Sequence, residues 1–183
     1  MIQLPEGLRS LVNQNSLCAF DLESGRAKWQ LGDPKRRDDP FNDSHFLGVP
    51  ISIGGKLYVL NEKHAGGDVG AAGDAELRLI CIEPTKIADG RPHIVQTQSL
   101  GNVQQQARVT HDVSRRTNTV HMGYGEGILV CPTNAGEVLG VDLTSRSLAW
   151  AYPYREQAPQ TVNFPGAMNN MRGGVVFGPG GAM

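Results

Sequence analysis

Apolar and polar residues alternate in short runs along this chain, and Gly, Pro, Asn and Asp punctuate the runs. Residues 17–22 alternate, Glu23-Ser24-Gly25 forms a turn, and 27–31 is extended again. The runs 49–53 and 56–61 flank Gly54-Gly55, a strong hairpin signal. Leu57, Val59 and Asn61 alternate with Tyr58 and Leu60, yet both faces carry apolar side chains. That pattern suits a strand packed between two neighbouring sheets. Residues 76–83 and 93–100 predict two more strands, joined by a long connection containing Pro84, Asp89-Gly90 and Pro92. Beyond a polar stretch at 102–118, the strands expected are 119–122 (innermost), 128–131, 137–143 and 148–152, with a turn at 133–136. A weak strand signal at 8–12 and an apolar burst at 175–177 lie near the two ends. Many short strands joined by turns predict an all-β fold.

The pattern also repeats. Residues 18–29 read Cys-Ala-Phe-Asp-Leu-Glu-Ser-Gly-Arg-Ala-Lys-Trp, and 140–150 read Gly-Val-Asp-Leu-Thr-Ser-Arg-Ser-Leu-Ala-Trp. In both an Asp ends an apolar run, a polar turn follows, and Trp29 or Trp150 stands eight residues after Asp21 or Asp142. A worn copy at 79–85 contributes Glu83, and the three acids are spaced by 62 and 59 residues. Such a period signals a repeat architecture. Gly25 supplies the positive φ of a tight turn. The Asp accepts N–H bonds from that turn, and the Trp covers a neighbouring sheet, burial that contributes about 2–3 kcal/mol.

These residues resemble the quinoprotein-like (PQQ-like) β-propeller repeats, whose units end in a pattern close to Ala-x-Asp-x-x-Thr/Ser-Gly-x-x-x-Trp. Ala19, Asp21, Ser24, Gly25 and Trp29 match it, as do Asp142 and Trp150, with Arg146 where the family prefers Gly. The phrases at 55–60 and 127–131 are similar to the family's inner strands. The resemblance implies a β-propeller of four-stranded antiparallel blades, locked by Trp docking onto the adjacent blade. Its parts would be a partial first blade at 1–32, a second at 47–101, a third at 119–154, and the start of a further blade or a tail at 155–183. Aligning 99–101 with 30–32 puts Gln98 at the second blade's Trp position. Closed propellers take about 4–8 blades, so ring closure calls for remaining blades of a longer chain or a second copy.

Composition narrows the function classes. The chain has 17 basic and 18 acidic side chains in 183 residues, which gives nucleic acid or an anionic membrane no electrostatic purchase. The basic run at 35–37 is followed at once by Asp38-Asp39 and reads as a solvated loop. No stretch reaches the ~18 apolar residues of a transmembrane helix, and no signal peptide is visible at residues 1–5.

Catalytic and metal motifs are scarce. Cys18, Cys81 and Cys131 form no Cys-x-x-Cys pair and read as small buried hydrophobes. His45, His64, His93, His111 and His121 show no metal-ligand spacing; only His111-Asp112 and His121 lie close along the chain. The Gly/Ala-rich 64–74 lacks a phosphate-loop ending and reads as a loop between strands. Neither a Gly-x-Ser-x-Gly elbow nor a specific carboxylate pair is present.

The resemblance implies two functional readings. One is a non-catalytic scaffold that binds a protein or polysaccharide through surfaces built by the insertions 32–46, 64–74 and 102–118, with no cofactor. The alternative is a fragment of a PQQ-dependent dehydrogenase, which would hold the quinone with calcium. The vicinal cysteine pair of several alcohol-oxidising members is missing, and no residue matches their Asp base or calcium ligands. Export, as to a bacterial periplasm, is implied by resemblance alone.

Overall fold

A computed structural model describes residues 14–36, 38–64, 74–104, 116 and 119–154. The strand signals at 8–12 and 175–177, most of the Gly/Ala-rich stretch, and His111-Asp112 lie outside the described residues. Every named element is a strand, and no helix among the described residues is long and apolar enough to cross a membrane. In chain order the strands are β1 (Leu17–Phe20), β2 (Ala27–Leu31), β3 (Ser44–Ile53), β4 (Lys56–His64), β5 (Asp74–Ala88), β6 (Arg91–Gln104), β7 (Gly123–Gly125), β8 (Ile128–Pro132), β9 (Glu137–Asp142) and β10 (Ser147–Pro153).

They form three antiparallel sheets: a β1–β2 hairpin and the two four-stranded meanders β3–β6 and β7–β10. The middle sheet is apolar on both faces because it is covered on both. Leu57 and Val59 of β4, with Ile80 and Ile82 of β5, pack with Leu17 and Leu31 of the hairpin. Tyr58 and Leu60, with Leu77 and Leu79, pack toward Leu129, Cys131, Leu139 and Val141 of the third sheet. Successive strand residues point to opposite faces, so one strand serves two cores. This bears out the expectation for 56–61.

Two further contacts fix the seams. Trp29 is 4% exposed, and its Nε1 donates to the Pro84 carbonyl of β5 at 3.1 Å, while the Gln30 N–H donates to the Gly90 carbonyl at 3.2 Å. At the second seam, Val49 N donates to the Val120 carbonyl at 3.3 Å. Gly48 lies against the Val120 backbone with φ +70°, where any Cβ would collide.

Several elements differ from the sequence expectations. The long connection after residue 83 is instead more strand: β5 and β6 extend to a two-residue turn at Asp89 and Gly90 (φ +52° and +71°). Register shifts absorb Pro84, and Pro92 pairs with Ile87 at the hairpin tip. Residues 119–122 form no strand, and the third sheet begins instead with β7 at its edge; Val120 is buried, and among the described residues His121 makes an isolated bridge to Val49. The basic run is solvated at Lys35 and at the neighbouring Asp38, which are exposed, but the acid that follows is not. Asp39, Phe41 and Phe46 are buried, and the Asp39 carboxylate accepts from the N–H groups of Gly32, Asp33 and Phe41 at 3.1, 3.3 and 2.9 Å.

Truncating Trp29 removes the wedge from the first seam, so Trp29→Ala lowers unfolding free energy by about 3–5 kcal/mol. Trp150→Ala, in dilute solution, costs about 1 kcal/mol or less, as suits an exposed position. Urea unfolding followed by far-ultraviolet circular dichroism separates the two.

Candidate functional site

The repeat-motif residues divide into those that act as expected and those that do not. Asp21 Oδ1 accepts from the Glu23 and Ser24 N–H groups at 3.2 and 2.9 Å and from the Ser24 hydroxyl at 2.9 Å, and Oδ2 pairs with Lys28 Nζ at 3.0 Å. Asp142 Oδ1 accepts from Thr144 and Ser145 N–H at 2.7 and 3.2 Å. Gly25 sits at φ +68° and Arg146, its counterpart, at φ +57°. The same left-handed turn thus forms in both copies, with Arg146 bearing the strain of a side chain there.

Glu83 departs from that role. It lies mid-strand and pairs with His93 at 3.3 Å, because β5 continues past it to Ala88. Trp150 departs too. It is 42% exposed and lies over Gly140 of its own sheet, where an added Cβ would meet the indole, and no described sheet covers it. Cys18 is exposed rather than buried, since it lies on the outer face of the hairpin. Cys81 and Cys131 are buried as expected, and burial pushes the Cys131 thiol up to about 12.

Strand register corrects the position of the missing aromatic. Trp29 stands opposite Ala19 and Trp150 opposite Gly140, each acid minus two. In the middle sheet that position is Cys81, whose partner is Gln96 rather than Gln98. The second seam thus lacks an indole, and a shallow groove opens there, lined by Tyr58, Cys81, Gln96, Gln98, Leu143 and Arg146. Burial, then the neighbouring Cys81, pushes the Tyr58 hydroxyl up to about 12.

A buried polar cluster went unrecognised in the sequence. At one end of the middle sheet Asn61 Nδ2 donates to the Ser44 hydroxyl at 3.1 Å, and Ser44 Oγ donates to the Phe41 carbonyl at 2.6 Å. Arg78 Nε donates to Asn61 Oδ1 at 3.1 Å, and its guanidinium lies over the Phe41 ring. Beside them Arg116 Nε pairs with Glu62 Oε2 at 3.1 Å, both side chains almost wholly buried. Asn61 occupies a strand position that alternation assigns to the interior, so only its polarity among apolar neighbours marked it. Arg116 sits in a polar stretch with no local signal at all.

The cluster's position matters more than any acid–base chemistry. β3 begins, β4 ends, β5 begins and β6 ends at this same edge of the sheet. The strand ends that border all three insertions, 32–46, 64–74 and 102–118, therefore lie at one end of the sheet, and the Glu62–Arg116 pair ties Arg116 of the last to β4. His45 is buried at that end. Among the described residues no group of three or more His, Cys, Asp or Glu side chains is placed to hold a metal ion.

Two predictions follow from these bonds. Arg116→Ala strips the guanidinium from a buried carboxylate and lowers unfolding free energy by about 3–5 kcal/mol, whereas Arg116→Met with Glu62→Gln recovers part of that loss in denaturant titrations. The Ser24 N–H, then Lys28, holds the Asp21 carboxyl well below its usual range, and the Ser145 and Thr144 N–H groups depress Asp142. A depressed native pKa contributes stability that is present above the unfolded value of about 4 and lost as pH falls through the native one. Asp21→Asn therefore lowers the thermal midpoint at neutral pH, and its gap to the parent narrows between about pH 5 and pH 2.

Comparison with protein-family models and with curated proteins returned no match.

Proposed function

We propose that the chain is about three units of a β-propeller of the PQQ-like kind, acting as a non-catalytic scaffold that binds a protein or polysaccharide partner. Three points support the propeller reading: the sheets are antiparallel meanders, they stack face to face, and an indole wedges the first seam. The observation that carries the binding reading is that the strand ends bordering all three insertions lie at one end of the middle sheet. Loops gathered on a rigid sheet end are where proteins commonly place recognition surfaces. The buried Ser44–Asn61–Arg78 and Glu62–Arg116 bonds brace that end, and a braced platform loses less entropy on binding. Placement outside the cytoplasm belongs to the same reading and rests on the sequence resemblance.

No described residue favours a quinone-dependent dehydrogenase, and one experiment separates the two functions. The full chain is presented to a glycan array and to immobilised extracellular protein, and in parallel to pyrroloquinoline quinone with calcium in a dye-reduction assay. Saturable binding without quinone-dependent dye reduction is expected. Lys63→Glu, on the exposed end of β4 beside the insertions, weakens that binding, while Lys86→Glu, near the opposite hairpin tip, leaves it unchanged. Quinone-restored dye reduction, or binding lost equally in both variants, contradicts the proposal.

A further inference from the structure

Among the described residues the stack of sheets has two open ends, and each carries one half of an interface that the chain also makes internally. In the middle and third sheets the residues one and three before the repeat acid face the preceding sheet, and the hairpin has the same two positions. In the middle sheet these are Ile82 and Ile80, buried with Leu31 of the hairpin. In the third sheet they are Val141 and Leu139, buried with Leu47 and Leu60 of β3 and β4. In the hairpin they are Phe20 and Cys18, and there no described residue seals them: Phe20 is 59% exposed and Cys18 is exposed as well. The opposite face of each unit looks to the following sheet. In the hairpin that face carries Trp29, buried at the Pro84 carbonyl; in the third sheet it carries Trp150, left half-exposed.

The open face of the third sheet is continuous and apolar. Tyr152, 66% exposed, stands two residues beyond Trp150 on β10. Their cross-strand partners are Val138 and Gly140 of β9, which pair in turn with Pro132 and Val130 of β8. The bare Gly140 lets the indole lie against the β9 backbone, where any Cβ would collide with it. Exposed apolar surface of this kind, rimmed by strand edges, marks an interaction site.

The two free faces are of opposite kind, a Trp face at one end and an acid-minus-one face at the other, with the polarity of the seams already built. We propose that the Trp150 face of one copy seats the Phe20 face of the β1–β2 hairpin of a second copy, head to tail. The contact repeats the packing of Trp-bearing hairpin on middle sheet, with Phe20 and Cys18 standing where Ile82 and Ile80 stand inside the chain. An interface of this kind is heterologous, joining two different patches, and it closes into a ring or runs on as an open chain according to the rotation at each step. This rests on the stacked-sheet part of the proposed function alone. Its test contains no external partner, so failure here and failure of the binding reading are distinguished.

Sedimentation velocity of the full chain, over about a hundredfold range of concentration, reads the association. The expected result is mass action toward dimers and larger species, lost in Trp150→Arg and lost equally in Phe20→Arg. Mixing the two variants restores one species only, a dimer, because each contributes its intact face. Circular dichroism confirms that each variant is folded; if Trp150→Arg is not, Tyr152→Arg takes its place, and Cys18→Arg does so for Phe20→Arg. A monomer at every concentration overturns the proposal. So does association that survives Trp150→Arg, or that is lost in Trp150→Arg but not in Phe20→Arg, which would mean that the Trp face pairs with itself. A monomer whose thermal midpoint drops sharply in Trp150→Arg also overturns it, since that face would then be covered by further residues of its own chain.

Discussion

The middle sheet buries apolar side chains on both faces, and the rest of the structure depends on that. A β-sheet standing alone can keep one face in water, but β4 and β5 place Val59, Leu60, Ile80 and Ile82 out of solvent on alternating sides. Neither side can be left open without exposing a row of aliphatic groups, each worth about 1.5–3 kcal/mol when buried. The hairpin on one side and the β7–β10 sheet on the other are therefore conditions of the middle sheet's stability. Trp29 secures the first seam by bulk and one hydrogen bond. The second is secured differently, by backbone contact at Gly48 and Val49 with Val120.

The contrast between the seams accounts for the local chemistry. At the first seam an indole fills the space between sheets. Where Gln96 replaces it, a groove opens beside Tyr58 and Cys81. Where no described sheet lies above Trp150, the indole is half-exposed. The same repeat position is thus sealed in the hairpin, grooved in the middle sheet and exposed in the third.

Much of this was legible in the sequence because period-two alternation and turn chemistry are local. The hairpin at Gly54-Gly55, the Asp21 and Asp142 turns and the two-sided character of 56–61 all follow from neighbouring residues. The length of β5 and β6 was not legible, since Pro84 and Pro92 read as breakers unless the register shifts that accommodate them are seen. Asp39 was misread for a similar reason: a carboxylate beside basic residues looks solvated until its three backbone donors are known. The Glu62–Arg116 pair joins residues 54 apart in sequence, and no local pattern reports such a contact. The exposure of Trp150 and Cys18 was hidden too, because a repeat motif states what a position packs against without stating whether that neighbour is present.

The most direct check is acrylamide quenching of tryptophan fluorescence, since the chain has two Trp residues and assigns them opposite environments. In dilute native protein one component should be blue-shifted and resist quenching, the other should be accessible, and Trp29→Phe should remove the protected component while Trp150→Phe removes the accessible one. Equal quenching of both indoles, or protection that persists without Trp29, would contradict an indole wedged between stacked sheets.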